Sequence, residues 1–157
     1  MPWGVLVRES VTATTLFGHT VILGCDPGAP ASARSEVRRF LQRAQTSSEE
    51  LEDAELVAGA LVADSVRKAD GELSMTVVLD VGWVTITVDD DAQLLPIPPP
   101  GRTPFDLDPV ERIAHSWGFL RTPRGRQLWA RIPVGAASRT DDDHGHGPGA
   151  PARLRAG

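Results

Sequence analysis

The sequence predicts an α+β sandwich in which helices cover one face of a largely antiparallel sheet. Three observations lead there. Residues 73–80 and 83–88 alternate apolar and polar, are rich in β-branched residues and flank Gly82, the pattern of a hairpin. Residues 119–122 and 127–132 form a second hairpin around Pro123-Arg-Gly-Arg126. Ahead of the first hairpin lie two long stretches with helical spacing. Strands joined by hairpins run antiparallel, so the helices must close the apolar face of the sheet.

The elements follow in chain order. Residues 1–17 show no clear period and read as a loose lead-in, and the folded domain is expected over 18–133. His19-Thr-Val-Ile-Leu23 reads as a short strand, which Asp26-Pro-Gly-Ala-Pro30 ends. Over residues 31–44, Ala33, Val37, Phe40, Leu41 and Ala44 share one helical face, with Arg34, Arg38, Arg39 and Arg43 elsewhere. Ser47-Ser-Glu-Glu50 is a capping box: a serine hydroxyl and a glutamate three residues on satisfy orphan amides reciprocally. The helix it opens runs over 49–69, and Leu51, Leu56, Val57, Leu61, Val62 and Val66 cover more than one face, so it should be sandwiched. After the first hairpin, Asp89-Asp-Asp91 ends the strand, and prolines 96, 98, 99, 100 and 104 impose an extended loop. Asp108-Pro-Val-Glu111 is a further helix start, with a capping aspartate and proline in the first turn, and the helix should reach Ser116. Residues 134–157 are Gly, Ala, Pro and charge, and are expected to be a disordered tail.

Composition narrows the function classes. The 157 residues suit one domain, and 41% are hydrophobic, enough to bury a core. Net charge is −5 and no basic stripe is present, which disfavours direct nucleic-acid binding. Cys25 is the only cysteine, so an intramolecular disulfide and a multi-thiolate zinc site are both excluded. No apolar run approaches the ~20 residues needed to cross a bilayer, and the N-terminus lacks the basic flank and apolar run of a signal peptide. A cytoplasmic location without membrane contact is the expectation. Trp83, Trp117 and Trp129 fall at core or hairpin positions and read as packing residues. The tract Asp141-Asp-Asp-His-Gly-His146 has metal-ligand types, but a flexible tail cannot preorganise a site.

The order of elements, with a long loop before the last helix, resembles the ATPase domain of histidine kinases, gyrase and a class of chaperones. Within that superfamily the chain is most similar to the small bacterial anti-sigma-factor serine kinases, over about residues 21–133. Residues 26–41 resemble the opening turn and arginine-rich helix, and DAELVAGALVADSVRKA (53–69) the nucleotide-site helix. VTITVDDD (84–91) resembles the strand ending in the adenine-reading aspartate, and Trp117-Gly118 with GRQLWARIP (125–133) the closing helix end and hairpin. The resemblance implies a histidine-kinase-like (Bergerat) sandwich with a mixed, mainly antiparallel sheet.

The same resemblance implies site residues. The general-base position falls on Ala60, whose methyl group cannot take a proton, so no catalytic residue is assigned. The magnesium position falls on Asp64, one helical turn on, which keeps an oxygen ligand for Mg²⁺ and adds a charge. The adenine position falls on Asp90, with the small Ala92 two residues beyond. Lys68 can meet a phosphate, and Gly101 stands as a displaced remnant of the lid glycines, whose own positions carry Pro104, Phe105 and Asp106. Plainer readings stand beside these: Asp64 and Lys68 as solvated helix residues, Asp90 as a turn former at a strand end.

The expected function is a regulatory protein of the anti-sigma-factor kinase type. It would bind a sigma factor or an anti-sigma-factor antagonist, with weak or lost ATP and Mg²⁺ binding and kinase activity, and a homodimer is among the assemblies allowed. The alternative is an active serine kinase phosphorylating the antagonist, since losing a general base leaves a slowed reaction, typically by about 10²- to 10⁴-fold. A structural domain without nucleotide or sigma-pathway partner is the third class.

Overall fold

A computed structural model describes residues 5–6, 16–93 and 107–135. Among these the chain forms β1 (Val5–Leu6), β2 (Leu16–Leu23), α1 (Ala29–Arg43), α2 (Ser48–Lys68), β3 (Leu73–Asp80), β4 (Trp83–Asp90), α3 (Asp108–Ile113), β5 (Ser116–Thr122) and β6 (Gly125–Pro133). The strands make one six-stranded sheet in the order β1-β2-β3-β4-β6-β5. Each pairing is antiparallel. The α+β class is as the sequence predicts. Of the mixed, mainly antiparallel sheet implied by the resemblance, the described strands make the antiparallel part.

Period-two alternation decides which side is core. Leu73, Met75 and Val77 of β3, Val84, Ile86 and Val88 of β4, and Leu128, Ala130 and Ile132 of β6 are all buried. Their alternates Thr76, Thr85, Thr87 and Trp129 stay partly exposed on the other face. One dry and one wet face is the usual economy of an antiparallel sheet. On the wet face Thr20 Oγ1 and Thr76 Oγ1 lie 2.9 Å apart across a strand pair, and the Arg131 guanidinium sits 4.2 Å from the Trp83 ring centroid. Trp83 and Trp129 are thus wet-face residues, while Trp117 packs against the core.

Both helices close the dry face. The chain enters α1 through Asp26, whose carboxylate accepts from Gly28 N at 2.7 Å, and Pro30 lies in the first turn where its missing N–H is harmless. α1 buries Ala33, Val37, Phe40 and Leu41. α2 begins with the capping box read from the sequence: Glu50 N donates to Ser47 Oγ at 3.2 Å and Ser47 N to Glu50 Oε2 at 3.0 Å. It packs on α1, α3, β4 and β6, which buries Val57, Leu61 and Val62 together. Leu56 departs from the sandwiched expectation. It points outward and is 53% exposed, so the neighbours α2 has in α1, α3, β4 and β6 leave part of its surface to water.

Several boundaries move. The lead-in is not wholly loose, because Val5–Leu6 pair with Leu16 and Phe17, and β2 begins three residues early. α3 ends at Ile113 and not at Ser116, for Ser116 and Trp117 are already paired with Arg131 and Ala130. Asp108 is the first helical residue and makes no side-chain cap; the buried Leu107 anchors the entry. Val134, counted in the tail, is buried and donates its N–H to Gly82 O at 2.9 Å. The proline-rich loop with Gly101, Pro104, Phe105 and Asp106, and the Asp/His tract of the tail, lie outside the described residues.

Candidate functional site

The C-terminal half of α2, the end of β4 and the start of β6 converge at one edge of the dry face. Ala60 and Asp64 stand one turn apart on α2, and Lys68 a turn further on. Asp90 ends β4, and the same alternation that buries Val84, Ile86 and Val88 turns it inward. Across the β4–β6 pair the residue in register with Asp90 is Arg126.

Arg126 organises the site. Its side chain is fully buried, as is that of Asp64. Arg126 Nε lies 3.0 Å from both carboxylate oxygens of Asp90. Nη2 lies 3.0 Å from Asp90 Oδ2 and 2.7 Å from Asp64 Oδ2. Those two Nη2 contacts are within ion-pair distance but off hydrogen-bond alignment, so their attraction is Coulombic more than directional. On its other oxygen Asp64 accepts from Lys68 Nζ at 2.6 Å, and Asp90 Oδ1 also accepts from Ala92 N at 3.0 Å. Two carboxylates therefore meet two cations. Burial lowers the Arg126 pKa, but the Asp90 hydrogen bond and the Asp64 and Asp90 charges outweigh it and leave it raised. At 2.7 Å and an effective dielectric near 20, one such pair attracts by roughly 6 kcal/mol. Desolvating each ion costs several kcal/mol. The cluster is held by its completeness: none of its enclosed members, Asp64, Asp90 and Arg126, is tolerable without its partners.

Neighbouring backbone fixes the geometry. A Cβ on Gly125 would stand 2.3 Å from Asp90 O and 2.5 Å from Asp91 Cα, so only glycine lets β6 start this close to the end of β4. Asp91 accepts from Asp70 N and Gly71 N, both at 2.9 Å, which ties the α2–β3 connection to β4 and holds the Asp91 carboxyl below its ordinary range. Cys25 Sγ contacts Ala69 O at 3.1 Å beside this corner, and burial, then the nearby carboxylates, push its thiol up.

Sequence-predicted residues Ala60, Asp64, Lys68, Asp90 and Ala92 are thus gathered in one region, while Gly101 lies outside the described residues. They do not fit the groups the resemblance implies. Both Asp90 oxygens already face a guanidinium, where an adenine amino group would have to donate. Asp64 is taken by Arg126 and Lys68, where a metal would have to sit. Among the described residues no group of three or more His, Cys, Asp or Glu is disposed to hold a metal ion. Arg126 is the residue the sequence reading missed. Its signal was present: it stands two residues before Leu128 and four before Ala130, on the row that alternation buries.

The sequence matches no protein-family model and no curated protein. What the fold and site define is a single-sheet α+β protein with a closed ionic cluster where its carboxylates gather. No helix among the described residues is long and apolar enough to cross a membrane.

Proposed function

We propose that the chain is a regulatory binding protein of the anti-sigma-factor kinase type, capturing a sigma factor or an anti-sigma-factor antagonist, with nucleotide binding and phosphoryl transfer weak or lost. The ordered resemblance of residues 26–41, 53–69, 84–91 and 125–133 supports the type. The observation that carries the loss of chemistry is Arg126, lying between Asp64 and Asp90 within 3.0 Å of each. Ala60 supports it independently, since nothing at the base position can accept a proton. A histidine-kinase-like ATPase sandwich is the finer fold that this reading carries.

The test uses the purified chain against a panel of sigma factors and anti-sigma-factor antagonists from the same genome, with labelled ATP and Mg²⁺. Saturable binding to a panel member without transfer of label supports the proposal. Binding to none of them refutes it, and transfer of label at ordinary rates replaces it with the active serine kinase.

A further inference from the structure

We propose that Arg126 is an internal ligand: its guanidinium fills, from within the chain, the cation position between Asp64 of α2 and Asp90 of β4, and keeps that position closed to a metal ion or a purine amino group. The proposal takes up the reading of those two aspartates as ligand-facing carboxylates.

Geometry carries it. Asp64 and Asp90 are 26 residues apart in sequence, on a helix and a strand, yet both carboxylates come within 3.0 Å of one nitrogen. Two inward carboxylates at that spacing would repel in a dry core and must share a cation. Nε of the cation present hydrogen-bonds Asp90, and Nη2 lies within ion-pair distance of both carboxylates, so one guanidinium serves both. Lys68 contributes the second charge from the surface side, being 30% exposed, whereas Arg126 is wholly enclosed. Among the described residues Arg126 Nη1 has no hydrogen-bond partner, and the contacts to the two carboxylates run through Nε and Nη2. Gly125 is the structural accommodation for it. Without a side chain there, the β6 backbone approaches Asp90 and Asp91 closely enough to deliver the next residue inward.

If the guanidinium is a ligand, deleting the side chain should create a receptor for it. Arg126→Ala leaves two enclosed carboxylates and a cavity of guanidinium shape. Methylguanidinium at about 10 mM, far below denaturing concentration, should fill it. A site occupied at ten times its Kd should raise the thermal midpoint of Arg126→Ala by about 5 °C. The native chain and a control without the enclosed charges, Arg126→Met with Asp64→Asn and Asp90→Asn, should move by less than about 1 °C under the same conditions. If Arg126→Ala does not fold unaided, recovery of its folded far-ultraviolet signal on refolding with methylguanidinium, and not with methylammonium, is the equivalent result. Calorimetry of the native chain with Mn²⁺ should give no binding heat at this site. No response of Arg126→Ala to methylguanidinium in either format overturns the proposal, as does Mn²⁺ bound by the native chain and lost in Asp64→Asn. Partner capture plays no part in these measurements, so the proposed function and this inference can fail separately.

Discussion

Gly125→Ala tests how the site is built, because the obstruction is backbone and cannot rotate away. The added Cβ would stand 2.3 Å from Asp90 O, 2.5 Å from Asp91 Cα and 2.6 Å from Asp91 C. An ordinary carbon–oxygen approach is ~3.3 Å or more, so β6 and β4 must separate locally by roughly 1 Å. That separation falls on the register pair Asp90↔Arg126 and so pulls the guanidinium from its carboxylates. Overpacking alone costs about 1–3 kcal/mol, and loosening a buried ion pair adds to it. We expect a loss of about 3 kcal/mol, which lowers the urea midpoint by roughly 1.5–2 M at an m-value usual for this size. Gly118→Ala is the comparison. The three atoms nearest its Cβ all belong to the Trp129 side chain, at 3.0–3.1 Å on the wet face where the ring can shift, and it should cost about 1 kcal/mol or less. Urea unfolding followed by tryptophan fluorescence reads both. A Gly125→Ala midpoint equal to the native one, or a larger loss for Gly118→Ala, would refute the account of how Arg126 is delivered.

Other expectations follow from named contacts. Ser47→Ala removes the α2 capping box and should cost about 1 kcal/mol by the same unfolding measurement, with Ser47→Asp recovering most of it. Leu61→Ala truncates a fully buried side chain on the face of α2 that meets the sheet and should cost about 3 kcal/mol. Asp91 has a depressed folded pKa, caused first by the Asp70 amide and then by the Gly71 amide, so its stabilisation is complete above the ordinary aspartate pKa of about 3.9 and is lost as pH falls through the lower folded value. Asp91→Asn should therefore lie below the native chain in urea midpoint at pH 7, with the gap closing below about pH 4.

Most of the fold was legible because its signals are local. The capping box at Ser47 and Glu50, the alternation through Leu73–Asp80 and the turn at Gly82 each depend on residues a few positions apart. The errors fell where tertiary pairing overrides local preference. Ser116 and Trp117 continue a helical pattern in sequence, but pairing with Arg131 and Ala130 takes them into β5. Leu16 and Phe17 lack a strand signal of their own and are drawn into β2 by Val5–Leu6 on one side, with Phe17 also paired to Leu79. At the site, Asp64, Lys68 and Asp90 could be named from the resemblance, but their condition could not. Whether a carboxylate faces solvent, a ligand or an arginine is decided by which strand lies beside it, and the β4–β6 contact joins residues 36 apart.

The same contact bears on strand register, and this sets a last expectation. Sliding β6 by one residue along β4 would turn Leu128, Ala130 and Ile132 to water, so alternation forbids it. Sliding by two keeps every apolar residue inward, and alternation alone is indifferent. The ion cluster is not indifferent: a two-residue shift would set Arg126 against Val88 or carry it past Asp90, and leave enclosed charges unpaired. Buried ionic groups can specify an arrangement even when they add little stability. Substituting Arg126→Met with Asp64→Asn and Asp90→Asn should therefore leave stability within about 1–2 kcal/mol of native, since the one charge left, Lys68, is partly exposed and reaches water. Uniqueness should suffer instead, with doubled or broadened amide resonances for residues of β4, β5 and β6 in a two-dimensional NMR spectrum, while β2 and α1 keep single sharp peaks. A triple variant with one sharp resonance per residue throughout β4 and β6 would show that side-chain packing sets the register without the cluster, and leave Arg126 only its role at the carboxylates.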